Sequence, residues 1–154
     1  MKWYIAGSID HNPDFGASSR AVIRNLLEDI DIAYFCPALS EQNQRNFEQK
    51  ETLGDMLIKE GDWQENLVEI SEIVDADIEG LTPCQGIIVI LDKYVGSGTA
   101  SECTLMNFLD RPVIGIFTDG TDPRKVAPWT LSRVTRFVGD LVELSEVVRE
   151  YERA

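Results

Sequence analysis

Gly86-Ile87-Ile88-Val89-Ile90-Leu91 is apolar on both of its alternating faces. A strand of that kind needs cover on two sides, as the central strands of parallel sheets have. A glycine-rich turn follows at Gly96-Ser97-Gly98, and residues 99–109 then take helical spacing. Residues 112–117 (PVIGIF) form a second two-sided strand. After a loop with Asp119, Gly120, Asp122 and Pro123 come a short helical segment, a strand over 134–138, and an amphipathic helix to Tyr151.

The same alternation holds upstream. Trp3-Tyr4-Ile5-Ala6 reads as a strand ending at Gly7-Ser8. From Ser18 or Ser19 the period becomes helical, with Ala21, Val22, Leu26, Leu27 and Ile30 recurring on one side. Residues 31–35 (DIAYF) read as a strand closed by Cys36-Pro37. Residues 41–61 are polar and read as an insertion or mobile segment with some helix. Residues 63–78 return to helical spacing, with Leu67, Ile70, Ile73, Val74 and Ile78 sharing a face.

Strands alternating with helices imply parallel pairing through right-handed crossovers. Five strands in this order predict an α/β fold, a doubly wound flavodoxin-like sheet of order 2-1-3-4-5 with helices on both faces. The expectation is a single domain over residues 1–154. Ligands of such sheets bind beyond the carboxyl ends of the strands, near the switch between strands 1 and 3. Three loops should meet there, at 7–14, 92–102 and 118–122.

Composition narrows the partners. The chain has 154 residues with 27 acids against 14 bases, a net charge of -13. That balance repels nucleic-acid backbones and anionic membrane surfaces, so neither is an expected partner. No apolar run approaches the roughly 20 residues of a membrane helix, and the first residues lack a signal peptide's apolar stretch. A cytoplasmic location is expected. Cys36, Cys84 and Cys103 form no C-x-x-C pair and read as free buried thiols. The single His11 leaves no multi-histidine metal site. Asp10, His11 and Asp14 are read as turn residues, and no metal or cofactor is expected.

The densest local signal is Gly96-Ser97-Gly98-Thr99-Ala100-Ser101-Glu102. Thr99 and Glu102 have the T-x-x-E spacing of a helix capping box. A carboxylate there would lie near the positive end of a helix dipole and stay ionised. At the mouth of a ligand crevice, it would also suit a glycosyl-transfer nucleophile. Residues 16–20 (GASSR) open a helix and offer either a phosphate cradle or a plain serine N-cap. Cys103 has no second histidine to activate it and reads as a packed thiol. Trp63 and Trp129 suit either a core or a stacking surface for a base.

Tyr4-Ile5-Ala6-Gly7, Asp77 late in a helix, GIIVIL, GSGTASE and PVIGI together resemble the nucleoside 2-deoxyribosyltransferase family and its related nucleotide N-hydrolases. The resemblance implies that Glu102 is the nucleophile, that Tyr4 hydrogen-bonds it, and that Asp77 faces the substrate. The switch-point loops and the glycine-rich turn, by their place in the fold, make Gly7, Ser8, Asp92, Gly96, Ser97, Gly98 and Thr99 the candidate substrate-binding residues. The chain departs from the family pattern in two places. Gly96 stands where members commonly carry an aspartate, and residues 124–129 (RKVAPW) contain no counterpart of an asparagine that members lend to a neighbouring subunit.

The reaction implied is cleavage or transfer at the N-glycosidic bond of a (deoxy)nucleoside through a covalent glycosyl-enzyme on Glu102. The expected partners are a nucleoside or nucleotide substrate and further copies of the chain. The apolar stripe Leu141, Leu144, Val147, Val148 and Tyr151 suits either assembly or packing on the chain's own sheet. Two alternatives stand beside it, a nucleotide-binding module without turnover and a glycohydrolase of the NAD type.

Overall fold

A computed structural model describes all 154 residues. Five strands, β1 (Lys2–Ala6), β2 (Ala33–Phe35), β3 (Gly86–Leu91), β4 (Val113–Phe117) and β5 (Arg136–Val138), form one sheet of order β2-β1-β3-β4-β5. Every pairing is parallel. The expected α/β, flavodoxin-like topology is therefore the observed one. Seven helices connect and cover the strands: α1 (Ala17–Asp29), α2 (Glu41–Glu48), α3 (Leu53–Leu57), α4 (Trp63–Leu81), α5 (Ser97–Phe108), α6 (Pro128–Arg133) and α7 (Leu141–Arg153).

Strand alternation sorts the core into two layers. Trp3, Ile5, Ile88, Ile90, Ile114 and Ile116 pack on one face with Ile23 and Leu27 of α1 and Leu144, Val147 and Val148 of α7. Tyr4, Ala6, Ile87, Val89 and Leu91 point the other way, against Leu81 of α4 and Cys103 and Met106 of α5. All six residues of β3 are buried, as its two-sided apolar pattern required.

Several local expectations are corrected. Of the two uses open to the α7 stripe, packing on the chain's own sheet is the one observed, and assembly through it is set aside, since Leu144, Val147 and Val148 are fully buried. The strand expected over 31–35 begins at Ala33, because Asp31 takes φ 57° in the turn that ends α1, where Ile32 N–H donates to Leu27 O at 2.8 Å. The segment 41–61 holds α2 and α3. Ser40 caps α2 through Asn43 N–H, and Thr52 with Asp55 builds a reciprocal capping box on α3. The expected Thr99–Glu102 capping box is absent. Helix α5 starts at Ser97 with Gly96 as its cap, so Glu102 is a mid-helix residue with a different hydrogen-bond partner.

Candidate active site

Beyond the carboxyl ends of β1 and β3 lies a cavity of about 490 Å³. The β1–α1 loop, α4, the start of α5 and the α2–α3 segment all contribute to its wall. Tyr4 approaches it from beneath. The Tyr4 ring is fully buried, stacked on Phe35 at 5.6 Å between centroids with 20° between planes. Its hydroxyl donates to Glu102 Oε1 at 2.6 Å, joining β1 to α5 across 98 residues of sequence. Burial, reinforced by the Glu102 carboxylate, holds the Tyr4 phenol far above its ordinary range, so it stays a donor.

Glu102 lines the cavity, and so does Asp77. Burial pushes the Glu102 carboxyl up to about 7, with the Tyr4 hydrogen bond and Arg20 opposing and Asp77 reinforcing the rise. Asp77, half-buried on α4, is pushed up to about 6 by burial, with Arg20 opposing. The helix dipole therefore does not keep Glu102 fully ionised as its sequence position suggested. Desolvation outweighs it. Both carboxyls titrate near neutrality, so each is equipped to exchange a proton at physiological pH.

Of the other candidates, Gly7, Ser8, Gly96, Ser97, Gly98 and Thr99 all line the cavity. A Cβ on Gly96 or Gly98 would meet nothing within 4 Å, so these glycines leave space for a ligand, with no tight turn at stake. Asp92 is absent from the wall. One of its oxygens accepts from Ser8 Oγ at 2.8 Å and Asn12 Nδ2 at 3.3 Å, and the other from Tyr94 N–H at 2.8 Å. It holds the β1–α1 loop in place.

Arg20 is buried beneath the same loop. Its guanidinium donates to Ser8 O at 2.9 Å, Phe15 O at 3.2 Å and Gly7 O at 2.6 Å. Residues 16–20 therefore build a clamp on backbone carbonyls, with no serine cap on α1. Gly16 is required there. It sits at φ 71°, and a Cβ would fall 2.3 Å from Arg20 Nη1 and 2.4 Å from Ser8 O.

The α2–α3 wall contains residues that were not singled out from the sequence: Asn43, Asn46, Phe47, Glu51 and Leu53. The segment is tied to the first loop by a Phe15–Phe47 stack at 5.0 Å and by Leu53 N–H donating to Asp10 Oδ1 at 3.3 Å. Ser40 and the T-x-x-D spacing at Thr52 were the sequence signals that could have found it.

Trp63 and Trp129 are exposed and neither lines this cavity. Trp129 borders a shallow groove outside α5 with Phe108, which carries no titratable group. Cys103 is a core residue, with its thiol pushed up to about 12 by burial and Glu102. No group of three or more His, Cys, Asp or Glu side chains is placed to hold a metal ion. No helix is long and apolar enough to cross a membrane.

A flavodoxin-like sheet with a paired-carboxyl cavity at its switch point is the class that the fold and the site define. No protein-family model matches the sequence, and no curated protein matches it. Among solved structures, the chain is similar to a 2-deoxyribosyltransferase from the psychrotolerant bacterium Bacillus psychrosaccharolyticus, described as a suitable biocatalyst for the industrial synthesis of antiviral and antitumoral nucleosides. The TM-score is 0.61 at 18% identity, over 94% of this chain and 90% of that one. At that identity the likeness establishes the shared fold.

Proposed function

We propose that the chain cleaves or transfers at the N-glycosidic bond of a deoxynucleoside. The observation that carries this reading is the Tyr4–Glu102 hydrogen bond on a cavity wall shared with Asp77. The fold shared with a 2-deoxyribosyltransferase supports it. Glu102 attacks the anomeric carbon, forming a carbon–oxygen bond as the carbon–nitrogen bond to the base breaks. The leaving base takes a proton from Asp77. The nitrogen of a second base, or water, then displaces Glu102 and gives its proton back to Asp77. Two displacements retain the anomeric configuration.

A nucleoside suits the cavity better than a nucleotide. Asp10, Glu51, Asp77 and Glu102 line it, and the Arg20 guanidinium is already engaged by three loop carbonyls. A 5′-phosphate would enter an acidic site with its main cation occupied.

The test is a panel of deoxynucleosides, their 5′-monophosphates and NAD, each with and without an acceptor base. Base release or exchange from the deoxynucleosides is expected. Binding without product would leave a sensing module, and product from NAD alone would leave a dinucleotide glycohydrolase. Turnover requires one proton on the carboxyl pair, on Asp77, with Glu102 ionised. With Asp77 raised to about 6 and Glu102 to about 7, kcat/KM should peak between those values and fall on both sides. Tyr4→Phe removes a donor that favours ionised Glu102, so it should lower the rate and move the window to higher pH. An unshifted profile would count against the Tyr4 role.

The chain is further proposed to act as a homo-oligomer through a different surface from α7. Trp63, Leu67, Val74 and Ile78 on α4 are exposed. Val74 and Ile78 also line the cavity, so this face reaches the mouth of the site. Light scattering at micromolar protein should give at least a dimer mass, falling on Leu67→Glu. A wild-type monomer would remove assembly from the account.

A further inference from the structure

The geometry points to Asn43 and Asn46 as the residues that select the base, favouring one whose edge pairs an exocyclic amine with a ring-nitrogen acceptor, as adenine and cytosine do. The inference rests on the proposed nucleoside reading of the same cavity. Asn43 and Asn46 stand three residues apart on α2, so their side chains emerge on one side with Cβ atoms about 5–6 Å apart. Both are nine-tenths or more buried, and both line the cavity.

Their hydrogen bonds fix what each one offers. Asn43 Nδ2 donates to Pro37 O at 2.8 Å. Flipping the amide would oppose two carbonyl oxygens, so the orientation is set. Asn43 N–H is also held by Ser40 Oγ at 3.2 Å, which seats the first turn of α2. Asn43 Oδ1 accepts nothing from the protein and is not among the sealed polar atoms, so this residue of the cavity wall keeps an open acceptor. Asn46 is the converse. Its Oδ1 already accepts from Gln42 Nε2 at 2.9 Å, while its Nδ2 has only the Met56 thioether at 3.5 Å. A thioether is a weak acceptor, so Asn46 keeps donor capacity.

One acceptor beside one donor complements an amidine edge, N–C–NH2. The keto bases invert that edge. Uracil and hypoxanthine place a carbonyl oxygen where the amine stood and an N–H where the ring acceptor stood, so both contacts become like against like. The sheet order puts this pair at the right end of the cavity. Glu102 follows β3, whereas α2 follows β2 on the far side of β1. A sugar at Glu102 would therefore direct its base towards α2, where Phe47, backed by Phe15, supplies a flat apolar surface.

The test uses two isosteric pairs, deoxycytidine with deoxyuridine and deoxyadenosine with deoxyinosine. Dissociation constants are measured by calorimetry on Glu102→Gln, which holds ligand without consuming it, and kcat/KM is measured on the wild type. The amine-bearing member of each pair should bind at least about tenfold more tightly, because the keto member leaves buried groups unpaired. In Asn43→Leu the ratio should collapse towards one. Asn46→Leu, which removes the paired donor, should lower the ratio as well. Circular dichroism checks that each variant folds, and if both fail to fold, the ratios of the protein with both asparagines decide. Equal binding within both pairs overturns the inference whether or not turnover is seen. Selective binding without glycosidic turnover would sustain the inference and overturn the proposed reaction.

Discussion

Glu102→Gln is expected to abolish turnover while making the folded protein more stable above pH 7. The first half follows from the proposed chemistry. A carboxamide oxygen is a poor nucleophile towards the anomeric carbon, so kcat should fall at least about a thousandfold. The second half follows from burial. The Glu102 pKa rises from an ordinary 4.5 to about 7 in the folded chain. A carboxyl that holds its proton more tightly when folded favours folding below the unfolded value. It costs stability as pH climbs towards the folded value. The cost is fully felt by about pH 8 and amounts to about 3 kcal/mol at most. Glutamine avoids it and can still accept the Tyr4 hydroxyl. Thermal melts of the variant and the wild type should therefore coincide near pH 4 and separate by on the order of 5 °C near pH 8. A variant that turns over normally refutes the nucleophile. A variant that melts lower at pH 8 refutes the burial argument. Loss of activity with gain of stability would mark Glu102 as a residue held in place at the fold's expense.

How far the sequence carries depends on which forces act locally. The buried strand β3 and the order of elements were legible because two-sided burial leaves a pattern in the chain itself. Tyr4, Asp77 and Glu102 were singled out by resemblance, and the structure brings Tyr4 and Glu102 into contact and places Asp77 on the same cavity. What that contact does to their protonation could not be read, because desolvation is set by the whole enclosure and not by the helix start that T-x-x-E suggested. Arg20 is a similar case. A basic residue near a helix start resembles a phosphate ligand, yet its reach back to Gly7 O and Ser8 O depends on Gly16 taking a left-handed turn. The α2–α3 wall was missed for a third reason. Its composition is mostly polar, with Phe47, Leu53, Met56, Leu57 and Ile58 too unevenly spaced to mark a sustained apolar period, and the burial of the Asn43 and Asn46 side chains is set by tertiary packing.

Gly86→Ala should be among the most damaging single-atom-scale changes in the protein. Gly86 opens β3 and pairs in register with Trp3 of β1. A Cβ at that position would lie 2.4 Å from a ring carbon of Trp3, well inside any tolerable contact. The indole has nowhere to go. It is fully buried, donates through Nε1 to Glu152 at 3.1 Å and packs edge-on against Tyr151 at 5.8 Å. Alanine's gain over glycine in backbone propensity is about 1 kcal/mol at most, and overpacking a rigid neighbour costs about 1–3 kcal/mol or more. The clash therefore wins, and a net loss of about 2 kcal/mol is expected in urea or thermal unfolding. Gly54→Ala supplies the contrast. Its Cβ would meet only Thr52 Oγ1 at an ordinary 3.5 Å inside α3, so helix propensity acts unopposed and the protein should gain a few tenths of a kcal/mol. If the indole is the cause at Gly86, a smaller side chain at residue 3 should relieve it. The double change Trp3→Leu with Gly86→Ala should then destabilise by less than the sum of the two single changes. Strict additivity would mean that the damage arises elsewhere in the strand.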